Sequence, residues 1–311
     1  MPVDIASAEQ FVLANGRLLE RHILARLLHG AAAAPVLDAL RAYRNADGGF
    51  GHALEPDVRT PGSEPTATLQ AIEVLAAVGA QADPMVAGAA AWVAATALPD
   101  GGVPFVLPGA AAHPHAPWMV PGEGGSQLTF AFAGALGQLL SGAEAHAGAD
   151  ATRARLARAT EWLERATEWC WAVLADPESL GGYVLKFALD FLDRAPDAER
   201  AGRSIEALRP HIGADGSIPV PGGIEGERLT ALDLSPRPGL RSRALFSDEQ
   251  IGAGLDQLED GQRTDGGWMF SWLGWSPAQT VEWRGIVTVR ALATLSAHDR
   301  ILCPALSTTH P

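Results

Sequence analysis

The densest group of polar side chains that could carry chemistry lies in one loop. Glu55 and Asp57 flank Pro56, and His52 and Arg59 lie on either side of them. A proline between two carboxylates restricts the backbone, so the two groups could lie close enough for one to stay protonated near neutral pH. Such a neutral acid in a dry site can protonate an alkene or an epoxide. In the structural alternative Asp47 and Glu55 cap helix ends or turns, and Asp57 pairs with Arg59 as a solvated bridge.

A carbocation formed by such an acid needs aromatic faces near it. We therefore consider the aromatic residues of this loop and of the C-terminal part as substrate-binding candidates, together with His52 and Arg59. They are Phe50, Trp268, Phe270, Trp272, Trp275 and Trp283.

A second group of charged residues flanks one of these tryptophans. Glu282 and Arg284 surround Trp283, and the pattern predicts that Glu282 opens an apolar helix, where the helix dipole favours a carboxylate. Arg284 would belong to a site if it paired with Asp57 or Glu55. The plainer alternative is a charge at a helix N-terminus together with a salt bridge between repeats.

These side chains must be positioned by a repeating framework. An Asp-Gly-Gly or Asp-Gly-Ser turn recurs at Asp47, Asp100, Asp215 and Asp265, and a degenerate copy begins at Asp176. In each copy the glycine permits a left-handed turn and the aspartate bonds the neighbouring backbone. A repeat of roughly 50 residues, made of helix, Gly-rich loop and helix, predicts stacked helical hairpins.

The helices that follow these loops are nearly apolar all round, over residues 67–78, 127–140 and 286–295, and a long helix is predicted over 7–28. Helices without a polar face must be surrounded by protein. The pattern predicts an all-α fold, an α/α toroid (barrel) of about five to six hairpins with the Gly-rich loops at one end. We expect one domain over 1–311, an irregular insertion at about 216–246 and a flexible linker at 141–151.

Composition limits the classes of partner. The 311 residues carry a net charge of −13, which argues against non-specific binding to nucleic acid. No apolar run reaches transmembrane length and no segment resembles a signal peptide. The two cysteines offer neither a metal-binding spacing nor a disulfide framework, so we expect a cytoplasmic protein.

Two stretches resemble a known superfamily. Residues 262–268 read QRTDGGW and are followed by SPAQT at 276–280, which resembles the glutamine-to-tryptophan repeat and following helix start of the squalene-hopene cyclase and protein prenyltransferase β-subunit superfamily. Residues 44–51 resemble a weaker copy. The resemblance implies the terpenoid cyclase-like α/α toroid, whose barrel commonly encloses an apolar cavity for an isoprenoid chain.

The catalytic motifs of the superfamily are altered or absent. Class II cyclases carry Asp-x-Asp-Asp-Thr-Ala at the start of an inner helix, and the equivalent residues 63–67 read SEPTA, where Glu64 is the only acid. The sequence lacks the zinc ligands of protein prenyltransferases, the thioester motif of complement-like toroids and the aspartate-rich magnesium motifs of class I synthases. The resemblance therefore implies a fold and a cavity without a complete catalytic set.

From these observations the sequence predicts a terpene cyclase-like isomerase or lyase, which binds an isoprenoid or other apolar chain in a central cavity. It would catalyse acid-initiated cyclisation or isomerisation with Asp57, Glu55 or Glu64 as the acid, and Glu282 is a further candidate. No cofactor is required by the sequence, and Mg²⁺ would enter if the substrate were a diphosphate. A homodimer or a second protein could complete the cavity. Two alternatives stay open: an α/α-barrel glycoside hydrolase or lyase, and a non-catalytic ligand-binding toroid.

Overall fold

The computed structural model describes residues 2–143 and 150–302, which form twelve α-helices and one short antiparallel pair of strands. The helices are α1 (Ile5–Asn15), α2 (Leu18–His29), α3 (Ala34–Arg41), α4 (Pro65–Ala77), α5 (Pro84–Thr96), α6 (Leu128–Ala143), α7 (Asp150–Val173), α8 (Gly182–Arg194), α9 (Ala198–Ala207), α10 (Ala231–Leu234), α11 (Asp248–Asp260) and α12 (Pro277–Ala297). The strands are β1 (Ile218–Pro219) and β2 (Arg228–Leu229).

The helices cluster into two compact units. The middle unit comprises residues 40–208, and the terminal unit combines 1–39 with 209–311, of which the structure describes 2–39 and 209–302.

In the middle unit, α6 is the helix around which the others are arranged. It packs against α4, α5, α7 and α8, and its residues from Leu128 to Leu136 are all buried. Helix α5 also packs along α7. Helix α7 buries Trp162 and Cys170 and exposes its charged residues. The apolar helices predicted over 67–78 and 127–140 are thus interior elements, as the absence of a polar face requires.

In the terminal unit, α12 packs against α1, α2 and α11, and α10 packs against α11. The single helix predicted over 7–28 is wrong, because the chain turns at Gly16. The backbone of Gly16 is extended and its N–H donates to the carbonyl of Val12 at 2.8 Å. A Cβ atom at this position would lie 2.7 Å from that same oxygen, so the turn needs glycine.

The four Asp-Gly turns share the geometry that the sequence predicts. In each turn the aspartate Oδ1 accepts the backbone N–H two residues later, at 2.9–3.1 Å, and the glycine between them has a positive φ. The glycine also allows close packing: a Cβ atom on Gly266 would lie 2.1 Å from the carbonyl oxygen of Ser7 in α1.

A recurring threonine ties three of these turns to the helix that follows. The hydroxyl of Thr68 in α4 accepts the backbone N–H of Phe50 at 3.0 Å. Thr129 in α6 and Thr288 in α12 do the same for the residue after their own Gly-Gly pair, at 2.8 and 3.0 Å. All three threonines are completely buried, so each turn and the next helix form one hydrogen-bonded unit.

The two segments predicted to be irregular contain short elements. Residues 216–246 hold β1, β2, the four-residue α10 and a 3₁₀ turn over Arg241–Leu245. Within the predicted linker, residues 141–143 end α6 and 150–151 begin α7, whereas 144–149 lie outside the described residues. Within residues 2–143 and 150–302, no helix is long and apolar enough to cross a membrane.

Candidate active site

Glu64 is positioned at the junction between the first Gly-rich loop and α4. Its own backbone is extended, because Pro65 begins the helix and disfavours a helical conformation in the residue before it. The N–H of Glu64 donates to the carbonyl of Phe50 at 2.8 Å, and its carbonyl accepts the first helical bond, from Thr68 N–H. The loop and the helix therefore fix this residue from both sides.

The Glu64 carboxyl is buried, with 2% of the residue exposed. Its Oε2 accepts the backbone N–H of Leu107 at 2.9 Å. Burial raises the pKa of Glu64 from its ordinary value of 4.5 to about 7, and the Leu107 hydrogen bond opposes this only in part. Burial therefore favours the neutral form of the Glu64 carboxyl up to near neutral pH. A buried carboxylic acid that is neutral at pH 7 can act as a general acid.

The other two predicted acids of the loop are also buried. Glu55 is 9% exposed and Asp57 is 4% exposed. Glu55 Oε1 lies 3.4 Å from the backbone N–H of Asp57, so the side chain folds back over Pro56. The carbonyl of Asp57 accepts Ala116 N–H at 2.8 Å. The Glu-Pro-Asp loop is thus held in the interior of the middle unit.

The remaining candidates of this loop have structural contacts of their own. Arg59 N–H donates to the carbonyl of Pro114 at 2.9 Å, which continues the pairing of the loop with residues 114–116. His52 is exposed with a positive φ of 55°, and its Nε2 lies 3.0 Å from Oδ1 of Asn45. The Phe50 ring is completely buried.

The predicted aromatic candidates of the terminal unit divide into a cluster and a core residue. Trp272 contacts Phe270 at 4.7 Å between ring centroids, and it meets Trp283 edge to face at 4.9 Å. Trp268 is buried, and its indole N–H donates to the carbonyl of Leu258 at 2.7 Å. Trp275 is half-buried.

Glu282 does not open a helix, which corrects the prediction. Its helix begins at Pro277, where Ser276 Oγ accepts the N–H of Gln279 at 3.2 Å as an N-cap. Glu282 lies in the second turn, where the field of the helix N-terminus has largely fallen off.

Arg284 has an ion pair within its own repeat. Its guanidinium bonds Oδ1 of Asp265 at 2.8 Å, approaches the carbonyl of Trp268 at 3.3 Å and lies over the Phe11 ring at 4.4 Å. The hydrogen bond from Arg284 lowers the pKa of Asp265. These contacts give Arg284 a structural role in supporting the Asp-Gly-Gly turn. The salt bridge predicted between repeats is wrong, because Asp265 and Arg284 belong to the same repeat.

The candidates thus fall in both units. The acids Glu55, Asp57 and Glu64 belong to the middle unit with Phe50, His52 and Arg59. The tryptophans, Glu282 and Arg284 belong to the terminal unit.

Sequence reasoning missed two polar residues of α4, Thr66 and Gln70. Both are buried, although polar residues on a surface helix usually face water. The available signal was their spacing of four residues, which puts them on one face of α4.

No family model matches this chain, and no curated protein matches it. Among solved structures it is similar to a protein from Actinoplanes, with 18% identity and a TM-score of 0.54 over 94% of this chain and 100% of that one. It is also similar to the type II terpene cyclase MstE from Scytonema, with 14% identity and a TM-score of 0.52 over 96% of this chain and 98% of that one. At these identities the likeness shows the fold alone, and it confirms the predicted all-α, α/α-toroid class.

Proposed function

We propose that this protein is a terpene cyclase-like enzyme that cyclises or isomerises an isoprenoid or similar apolar chain, with Glu64 as the initiating acid. The observation that carries the proposal is a buried carboxyl with a pKa raised to about 7 at the start of α4. Glu64 is also the acid at the place where the resemblance puts the Asp-x-Asp-Asp motif. The terpene cyclase-like fold supports the proposal without establishing the reaction.

In the first step the Glu64 carboxyl would transfer its proton to one carbon of a substrate double bond. The π electrons form the new C–H bond, the other carbon becomes a cation, and Glu64 becomes a carboxylate. The Leu107 N–H bonds the carboxylate that forms, at 2.9 Å in the resting state. A charged acceptor strengthens such a bond, so the loop stabilises the product of proton transfer.

In the last step the cation would lose a proton from a neighbouring carbon, and a new double bond forms. The substrate and the product then have the same atoms, and the carboxylate regains its proton directly or through solvent. In this reaction the carboxyl itself supplies the proton, so the proton transfer does not require a metal ion. Mg²⁺ would be required only to bind a diphosphate substrate. Glu55 and Asp57 are the alternative acids, and Glu282 is the least suited by its position in the second turn of α12.

The test is incubation of the purified protein with prenyl diphosphates and with free polyprenes, with and without Mg²⁺, followed by mass spectrometry of the products. We expect a cyclic or isomerised product of the same mass as the substrate, with any diphosphate retained. The Glu64→Gln variant should lose this product. Glu178→Gln is the matched control, because Glu178 is an exposed carboxylate of the same unit.

Other variants separate the competing acids. Product formation that survives in Glu64→Gln but is lost in Asp57→Asn or Glu55→Gln would transfer the acid role to the Glu-Pro-Asp loop. A folded protein with neither turnover nor co-purified lipid would refute the proposal. Hydrolysis of a glycan substrate by the same sample would favour the glycoside hydrolase alternative.

A further inference from the structure

Two side chains of α4 have buried polar atoms that nothing in the described protein satisfies. Thr66 is 7% exposed and Gln70 is 8% exposed. Thr66 Oγ1 and Gln70 Oε1 have no hydrogen-bond partner among residues 2–143 and 150–302. Buried polar atoms are nearly always hydrogen-bonded, so each exception requires an explanation.

Thr66 and Gln70 share one face of the helix. The i, i+4 spacing places Thr66 one turn above Gln70. Thr68, Ile72 and Leu75 occupy the opposite side and are completely buried. The Thr68 hydroxyl has a structural role there, since it accepts the N–H of Phe50. Thr66 and Gln70 therefore lie on the opposite face of the helix from Thr68, and unlike Thr68 each has a buried oxygen without a hydrogen-bond partner in the described residues.

The same face reaches the protein surface further along α4. Glu73 and Ala77 continue the row that begins with Thr66 and Gln70, and both are exposed. A ligand chain that lies along this face could therefore extend from the buried pair toward solvent.

We propose that Thr66 and Gln70 bind the hydroxyl group of an apolar alcohol. A hydroxyl donates one hydrogen bond and accepts others, and the pair complements both functions: Gln70 Oε1 accepts the ligand O–H, and the Thr66 hydroxyl donates to the ligand oxygen. Both unsatisfied atoms are oxygens that can accept a hydrogen bond. A ligand hydroxyl has a proton to donate to the Gln70 carbonyl oxygen, whereas a fully ionised phosphate has none. The choice of an apolar chain rests on the proposed function, whereas the hydroxyl site rests on the unsatisfied atoms.

The test compares farnesol with its methyl ether by equilibrium binding to the full-length protein. Both probes have the same apolar chain and an oxygen that accepts, but only the alcohol donates. We expect farnesol to bind about tenfold more tightly, the effect of one buried hydrogen bond. Gln70→Leu should abolish this preference, and Thr66→Val should weaken the binding of both probes.

Stability in the absence of ligand provides an independent measurement. Because the two polar atoms are unsatisfied, Thr66→Val and Gln70→Leu should unfold at the same or a higher urea concentration than wild type. A lower midpoint for both variants would show that the pair has structural partners and would overturn the site.

The binding outcomes are distinct from those of the acid proposal. Equal affinity for alcohol and ether, or a preference that persists in Gln70→Leu, overturns the hydroxyl site. Glu64→Gln should retain the preference for farnesol, because the site does not use that carboxyl. Lost turnover with retained preference in this variant supports both proposals, and lost preference in it contradicts the hydroxyl site alone.

Discussion

The raised pKa of Glu64 predicts that ionisation of this one side chain weakens the folded state. Its pKa is 4.5 when unperturbed and about 7 in the folded protein, a difference of about 2.5 units. Each unit corresponds to about 1.4 kcal/mol, which gives about 3 kcal/mol for a fully shielded carboxylate and about 2 kcal/mol once some solvent screening is allowed.

The direction follows from proton binding. Between pH 4.5 and pH 7 the folded state holds the Glu64 proton more tightly than the unfolded chain does. The free energy of unfolding contributed by this group is therefore highest below pH 4.5, falls as the pH rises, and reaches its full loss above pH 7. Most of the decrease lies between pH 5 and pH 7.

The assay is urea unfolding at half-unit steps from pH 5 to pH 8 for wild type, Glu64→Gln and Glu178→Gln. The glutamine at position 64 retains an acceptor for the Leu107 N–H but cannot ionise. We expect Glu64→Gln to become more stable than wild type by about 2 kcal/mol as the pH rises to 8. Glu178→Gln should follow the wild-type curve.

Parallel curves for wild type and Glu64→Gln would refute the raised pKa and the neutral acid with it. A larger loss in Glu64→Gln at high pH would have the same meaning, because it would show that the charged form is the stabilising one.

Two further predictions concern the framework. Thr68→Val keeps the shape of the side chain but leaves the buried N–H of Phe50 without its acceptor, so urea unfolding should show a loss of about 1–3 kcal/mol, and an unchanged midpoint would contradict the role of the threonine. Gly266→Ala would force a Cβ atom to 2.1 Å from the Ser7 carbonyl at a φ of 89°, and should cost about 3 kcal/mol or more in the same assay. The control for this variant is Gly252→Ala in α11, where no atom lies within 4 Å of the added Cβ. Its free energy of unfolding should increase by about 0.5–1 kcal/mol, because alanine favours a helix more than glycine does. Equal effects at the two positions would contradict the packing argument.

The helical framework was predictable because its signals are local. An Asp-Gly turn requires a short acceptor and a residue that tolerates a positive φ, and both are visible as residue types at a fixed spacing. The apolar helices were predictable for a similar reason, since a helix such as α6 with no polar face can exist only inside protein. Repetition of these signals was enough to predict the fold class.

The failures came from features whose cause is not local. Gly16 reads as one glycine in a helical pattern, whereas its backbone is extended and ends α1. The threonines that accept loop N–H groups lie 18 to 26 residues from their donors, so no short window contains both partners. The pKa of Glu64 depends on how deeply the side chain is buried, which the sequence does not state.

The contrast between three helix starts explains why Glu64 is suited to be an acid. α4, α5 and α12 all begin with proline, and the residues before them are Glu64, Asp83 and Ser276. Asp83 and Ser276 cap their helices, because each side chain accepts a backbone N–H of the first turn.

Within the described residues Glu64 makes no such cap bond, and its longer side chain reaches Leu107 instead. A capping carboxylate is stabilised in its charged form by the helix N–H groups, which lowers its pKa. Glu64 lacks that stabilisation and is buried as well. Burial raises its pKa to about 7. The absent cap bond and the raised pKa of Glu64 thus fit the acid role that we propose for it.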